Sequence, residues 1–116
     1  MRYFWDAAVE LDRDALELDE GRRFPLCKPG PLKKLFESAG LHKVQVRAID
    51  VETPFRDFDD YWSPFLGSTG PAPSYAMSLT EERRHALRNR IYAKLPVADD
   101  GSIRLVARAW AVQAVK

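Results

Sequence analysis

The segment Ile103 to Val115 places the strictest demand on what this chain can fold into. It is rich in Val, Ala and Ile, carries Trp110 near its middle, and is largely apolar on both faces. Such a run reads as a strand covered on two sides. A second strand lies earlier, where Val44-Gln45-Val46-Arg47-Ala48 alternates apolar and polar as a half-buried strand does. The alternation then changes phase, with Ile49 and Val51 apolar instead, and a bulge near Ala48 would account for the shift. Pro54 is expected to limit this strand, which is placed at about 44–51.

Helical signals fill the rest. Phe4, Ala8 and Leu11 recur at helical spacing with Trp5 and Val9 beside them, so residues 2 to 11 read as an amphipathic helix. Asp12 to Asp19 can add a turn or two before Gly21 closes it. Residues 24–31 contain three prolines, which fix the backbone and remove donors, so neither regular helix nor central strand is expected there. Leu32, Leu35, Phe36 and Ala39 then form an i, i+3, i+4, i+7 stripe that Gly40 ends.

Asp57 is placed as the N-cap of a short helix over 57–66, kinked or shortened by Pro64, with Phe58, Trp62 and Phe65 on one face. Gly67 to Ser74, with its glycines and prolines, reads as a loop. Ser78-Leu79-Thr80-Glu81 has the capping-box pattern and should open a helix running to Leu95, with Leu87, Ile91 and Leu95 buried and Pro96 as its stop. Asp99-Asp100-Gly101 is a turn signal. The expectation is α+β, with about four helices and a pair of long strands.

Bulk properties narrow the class of protein. With 116 residues there is room for one domain and one core, so 1–116 is taken as a single domain. Apolar residues make up 46% and charged ones 30%, a globular balance, and a net charge of +1 offers no global attraction to nucleic acid or an anionic membrane. No apolar run approaches the roughly 20 residues of a membrane-spanning helix. Asp6 stands where a secretion signal would be apolar, and a lone Cys27 excludes an internal disulfide and any cysteine metal cluster. A cytoplasmic protein with neither nucleic-acid nor membrane partners is the expectation.

Taken in order, Arg2-Tyr3-Phe4-Trp5-Asp6-Ala7-Ala8, Arg23-Phe24-Pro25-Leu26-Cys27, Leu32 to Leu41 (LKKLFESAGL), Asp57-Phe58-Asp59-Asp60-Tyr61-Trp62 and Ile103 to Val112 resemble the tail of class I S-adenosylmethionine-dependent methyltransferases, after the fifth strand of their sheet. The resemblance implies that 44–51 and 103–115 are the antiparallel pair closing one edge of a Rossmann-like sheet, with the helices at 57–66 and 79–95 inserted over the substrate side. S-adenosylmethionine enters by this resemblance alone. Its binding in that fold needs a Gly-rich turn after a strand and an acid at the next strand end. Gly67-Ser68-Thr69-Gly70 is the nearest glycine cluster, and it follows a Pro-broken helix. The chain by itself is therefore expected neither to bind the cofactor nor to methylate.

Each candidate site residue has a plain structural reading beside the functional one. Phe4 and Trp5 can line a cavity for a flat or apolar methyl acceptor; as residues of an amphipathic helix they fit a core at least as well. Asp57, Asp59 and Asp60 beside Tyr61 and Trp62 can orient a substrate or supply a general base, yet acids in a first helical turn are explained by capping and the helix dipole. No His or Cys lies near enough in sequence to suggest a metal site there. Arg83, Arg84, Arg88, Arg90 and Lys94 can form a phosphate-binding face, but they spread around one helix behind Glu81 and Glu82, as on a solvated surface. His42, His85 and Cys27 stand apart from any nucleophilic triad.

Two functional expectations follow. The chain is the substrate-side half of a methyltransferase, inactive until an upstream region or a separate cofactor-binding chain complements it. Alternatively it is a non-catalytic dimeric module for binding a small molecule or for assembly, derived from the same scaffold. In both, open sheet edges and uncovered apolar surface call for a partner: a complementing cofactor-binding chain in the first, and in the second a homodimer formed edge to edge or by exchange of the N-terminal helix.

Overall fold

The amphipathic stripe near the N-terminus does form a helix, α1 (Arg2–Leu11), in a computed structural model that describes residues 1–67 and 69–116. Phe4, Trp5, Ala7 and Ala8 bury its inner face. Asp12 ends it in an extended conformation, and a separate 3-10 turn over Arg13–Glu17 follows. Gly21 closes nothing: it lies inside the next helix, α2 (Glu20–Arg23), which Asp19 caps. The Gly21 backbone comes so near the Arg2–Asp19 ion pair that an added Cβ would sit 2.7 Å from Arg2 Nη1. Close approach, not chain reversal, is what glycine permits there.

Proline has a different part from the one its chemistry first suggests. After a 3-10 turn at Pro25–Cys27, α3 (Pro29–Ser38) begins with Pro29 and Pro31 already in its first turn. The first helical amides have no intrahelical acceptor, so losing two donors there costs little. The same device starts a helix where a loop was expected. α5 (Pro71–Ser78) carries Pro71 and Pro73 in its first turn and buries Ala72, Tyr75 and Ala76. Ser68, within the expected 67–74 loop and the Gly67–Gly70 cluster, lies outside the described residues.

Between these come β1 (His42–Phe55) and α4 (Phe58–Trp62), the latter running into a 3-10 turn over Ser63–Leu66 that contains Pro64. Asp57 caps α4, its carboxylate accepting from the Asp60 amide at 2.8 Å. α6 (Glu81–Lys94) buries Leu87 and Ile91, and Leu95 follows them inward. Its cap is Thr80, whose Oγ1 accepts from the Arg83 amide; Ser78, the expected cap, donates instead to the carbonyl of Tyr75 within α5. The described residues thus form six α-helices, not four, and one two-stranded antiparallel sheet with β2 (Ile103–Val115).

The sheet runs longer than 44–51 on one strand and departs from the expected bulge. Register is unbroken from Gln45↔Gln113 to Phe55↔Ile103, and the irregularity lies between His42 and Gln45, where Lys43 has φ 52°. Pro54 is accommodated inside the strand opposite Arg104. A ribbon with one neighbour per strand leaves half of its backbone groups facing outward, which gives proline a tolerable place.

The change of phase in the β1 alternation has another cause. Val46, Trp110 and Val112 share one face and are half-buried at the end of the ribbon that α3 covers. Phe55, Ile103 and Leu105 share the opposite face and pack on the helical core at the other end. The two ends are covered on opposite sides. Between them Ile49 (52% exposed), Val51 (58%) and Val106 (62%) lie open, so β2 is not covered on both faces. The molecule is correspondingly elongated, 53 × 34 × 23 Å with a radius of gyration of 17.2 Å. A compact domain near this length would have about 13 Å.

The core proper is aromatic and small. Phe4 stacks on Phe65 (centroids 4.7 Å apart, planes at 15°) and meets Trp5 and Tyr75 edge-on. Phe58 and Trp62 stack beside them, and Leu87, Ile91 and Ile103 close the cluster. The Leu32-Leu35-Phe36-Ala39 stripe of α3 stays outside it, with no fully buried residue and Leu35 46% exposed.

Candidate functional site

A cleft of about 560 Å³ opens beside this core, where α4, the 63–66 turn and the start of α5 meet the ribbon. Phe55, Tyr61 and Phe65 form its aromatic wall, with Tyr61 centroids 5.2 and 5.5 Å from those of Phe55 and Phe65. Pro64, Pro71 and Pro73 stiffen the rim, and Leu105 and Ala107 of β2 lead from the cleft onto the open sheet face. The polar side chains along it are those of Glu20, Thr53 and Thr69; the Tyr61 hydroxyl is buried away from it. A mostly apolar hollow with a few polar groups is the usual character of a small-molecule site.

The sequence-derived candidates divide around this cleft. Phe4 and Trp5 lie behind it, 0% and 1% exposed, as members of the core. Trp5 still reaches it indirectly, because its Nε1–H donates to Glu20 Oε2 at 3.1 Å. Trp62 is buried against Phe58 and Phe65. Tyr61 alone of the six lines the cleft.

The acids face other tasks. Asp57 is spent on the α4 cap and lines a separate groove of about 540 Å³ with Asp59, Arg88 and Tyr92. Asp59 pairs with Arg88 at 2.9 Å, while the Arg88 guanidinium sits 4.8 Å from the centre of the Phe58 ring. Asp60 accepts from the Arg56 guanidinium and the Arg56 amide, and these bonds hold its carboxyl below the ordinary range. A carboxylate stabilised in this way is a weaker base than a free one.

Tyr61 is the unusual group. Its hydroxyl is buried with no hydrogen-bond partner among the described residues. Burial, with a smaller contribution from Tyr3, pushes its pKa up to about 12. It therefore stays neutral near pH 7 and cannot serve as a base there. An unpaired buried hydroxyl is costly, so Tyr61→Phe is expected to leave the stability unchanged or raise it by up to about 1–3 kcal/mol, with the melting temperature unchanged or higher. A clear fall in differential scanning calorimetry would mean that the hydroxyl has a partner.

Glu20 is the charged cleft residue that sequence reasoning missed, and Phe55 and Phe65 of the wall were not among its candidates either. Glu20 stands fifteen positions from Trp5, in the four-residue α2, where no periodicity or motif marks it. As a whole, the cleft supplies shape, an aromatic wall and one carboxylate, without an acid–base pair in hydrogen-bond contact. Among the described residues no group of three or more His, Cys, Asp or Glu could hold a metal ion, and no helix is long and apolar enough to cross a membrane. Comparison with protein-family models, curated proteins and solved structures finds no match to this chain.

Proposed function

We propose that this chain is the substrate-side portion of a class I S-adenosylmethionine-dependent methyltransferase. On this reading it contributes the acceptor cleft, while the cofactor-binding sheet comes from polypeptide outside these 116 residues. The observation that carries it is the ribbon: an antiparallel pair with open edges and an uncovered apolar centre, joined to a cleft with an aromatic wall. An edge pair of a larger sheet would have that character. The methyl acceptor on this reading is a small molecule seated in the cleft, and the protein works in the cytoplasm.

Equilibrium dialysis with labelled S-adenosylmethionine is expected to find no stoichiometric binding to the 116-residue chain, and saturable binding would overturn the division of labour. The codons upstream of Met1 supply the second arm. An in-frame strand followed by a Gly-rich turn is the expected finding; an unrelated or out-of-frame region would favour the second reading instead.

The second reading, a dimeric module without catalysis, is favoured by the exposure of Ile49, Val51 and Val106 on one short ribbon. Apolar sheet surface and free edges are commonly relieved by association. Light scattering at micromolar concentration is expected to return twice the chain mass of 13.3 kDa. A monomer would count against the dimer.

A further inference from the structure

The chemistry of the cleft goes beyond the methyltransferase reading, because it selects a ligand whether or not a methyl group is transferred. Glu20 is the one charged side chain among the described residues that line it. Its carboxylate is anchored from behind: Oε2 accepts the indole N–H of Trp5, which is itself 1% exposed. Oε1 makes no hydrogen bond among the described residues. Met1 also lines the cleft, and its α-ammonium lies near enough to Glu20 to feel its charge, although the two form no ion pair and burial holds the pKa of that ammonium below its ordinary value. The rest of the wall is aromatic ring, proline and aliphatic side chain. We infer that the cleft binds a flat, mostly apolar ring compound whose polar substituent is a hydrogen-bond donor, above all a protonated amine, held at Glu20 Oε1.

The physical reasons are separable. A ring packs against the half-buried side chains of Phe55 and Leu105 and gains from displacing water off apolar surface. A half-shielded carboxylate prefers a charged donor to a neutral one, and repels an anion. Thr53 and Thr69 tolerate either, so the sign of charge accepted is set by Glu20 against the half-shielded Met1 ammonium, whose charge burial disfavours.

Three probes with one ring and different substituents test this on the full chain: 1-naphthylmethylamine, 1-naphthalenemethanol and 1-naphthoate, followed by amide chemical shifts at pH 7. The amine is expected to shift the amides of Thr53, Gly70 and Ala107 and to bind at least about tenfold tighter than the carboxylate, the ratio one charge-assisted hydrogen bond can supply. Glu20→Gln keeps an oxygen for Trp5 and should bring the amine down to the affinity of the alcohol. The comparison of probes on the unsubstituted chain stands even where that variant fails to fold. Equal or tighter binding of 1-naphthoate, shifts confined to other residues, or no shift at millimolar probe would each overturn the assignment. None of these outcomes depends on S-adenosylmethionine, so they leave the test of the methyltransferase reading separate.

Discussion

Phe4→Ala is expected to lower the stability of this chain by about 3–5 kcal/mol, the range for emptying a buried aromatic site. Phe4 is fully buried and touches three other aromatic rings, those of Trp5, Phe65 and Tyr75. Two of these belong to elements more than fifty residues away, so the ring ties α1 to the 63–66 turn and to α5 at once. A core this small cannot redistribute the loss, because the ribbon and α3 contribute little to it. Typical domains have only about 5–15 kcal/mol in all. Phe4→Ala should therefore be partly unfolded at 37 °C, as judged by urea titration followed by circular dichroism. Leu35→Ala is the control, since the side chain it removes is 46% exposed; it should stay within about 0.5 kcal/mol of the parent. Equal losses would mean that α3 belongs to the cooperative core.

The contrast between Phe4 and Leu35 also marks where sequence reasoning succeeded. Periodicity identified both stripes, and both formed helices, because a 3.6-residue repeat of apolar side chains has few other uses. Burial was a different matter. The α3 stripe and the apolar centre of β2 look like core in the sequence, yet because the ribbon runs away from the helical core the first is only half-buried against the ribbon's end and the second is uncovered. Proline misled in one direction each time. Pro29, Pro31, Pro71 and Pro73 signalled breaks, whereas position within the first turn makes proline compatible with helix. The cap of α6 slipped by two residues because Ser78-x-x-Glu81 fits the reciprocal pattern and Thr80-x-x-Arg83 does not, although Thr80 satisfies the amide by itself. Of the site, Tyr61 was legible from its aromatic-acidic segment. Glu20 was not, since its place in the cleft depends on Asp19 and Trp5 folding back together.

That dependence makes Asp19 the second residue with a large expected effect. Its side chain is 4% exposed, and its two oxygens accept from Arg2 Nη2 at 2.7 Å, Arg2 Nη1 at 3.2 Å and the Gly21 amide at 2.9 Å. Burial alone would raise its pKa; the Arg2 and Gly21 bonds together with the charges of Arg2 and Arg22 outweigh it, and the carboxyl is held below its ordinary 3.8. A folded-state pKa below the unfolded one means that the folded protein binds fewer protons in that window. The stabilisation is thus complete above pH 3.8 and is lost as the pH falls through the lower, folded value. Asp19→Asn turns an amide toward donors that need an acceptor, and at pH 7 it should cost about 1.5–3 kcal/mol. Exposed carboxylates such as Asp50 and Asp60 titrate alike in both proteins, so the difference between parent and variant isolates this one group. Urea midpoints measured from pH 7 down to pH 2 should converge in acid, and a gap that stays constant would show that the Arg2 pair contributes nothing. Because Asp19 is also the cap from which Glu20 starts α2, the same variant should weaken the discrimination between naphthylmethylamine and naphthoate at pH 7. The clasp that holds the N-terminal helix is, on this account, what sets the carboxylate in the cleft wall.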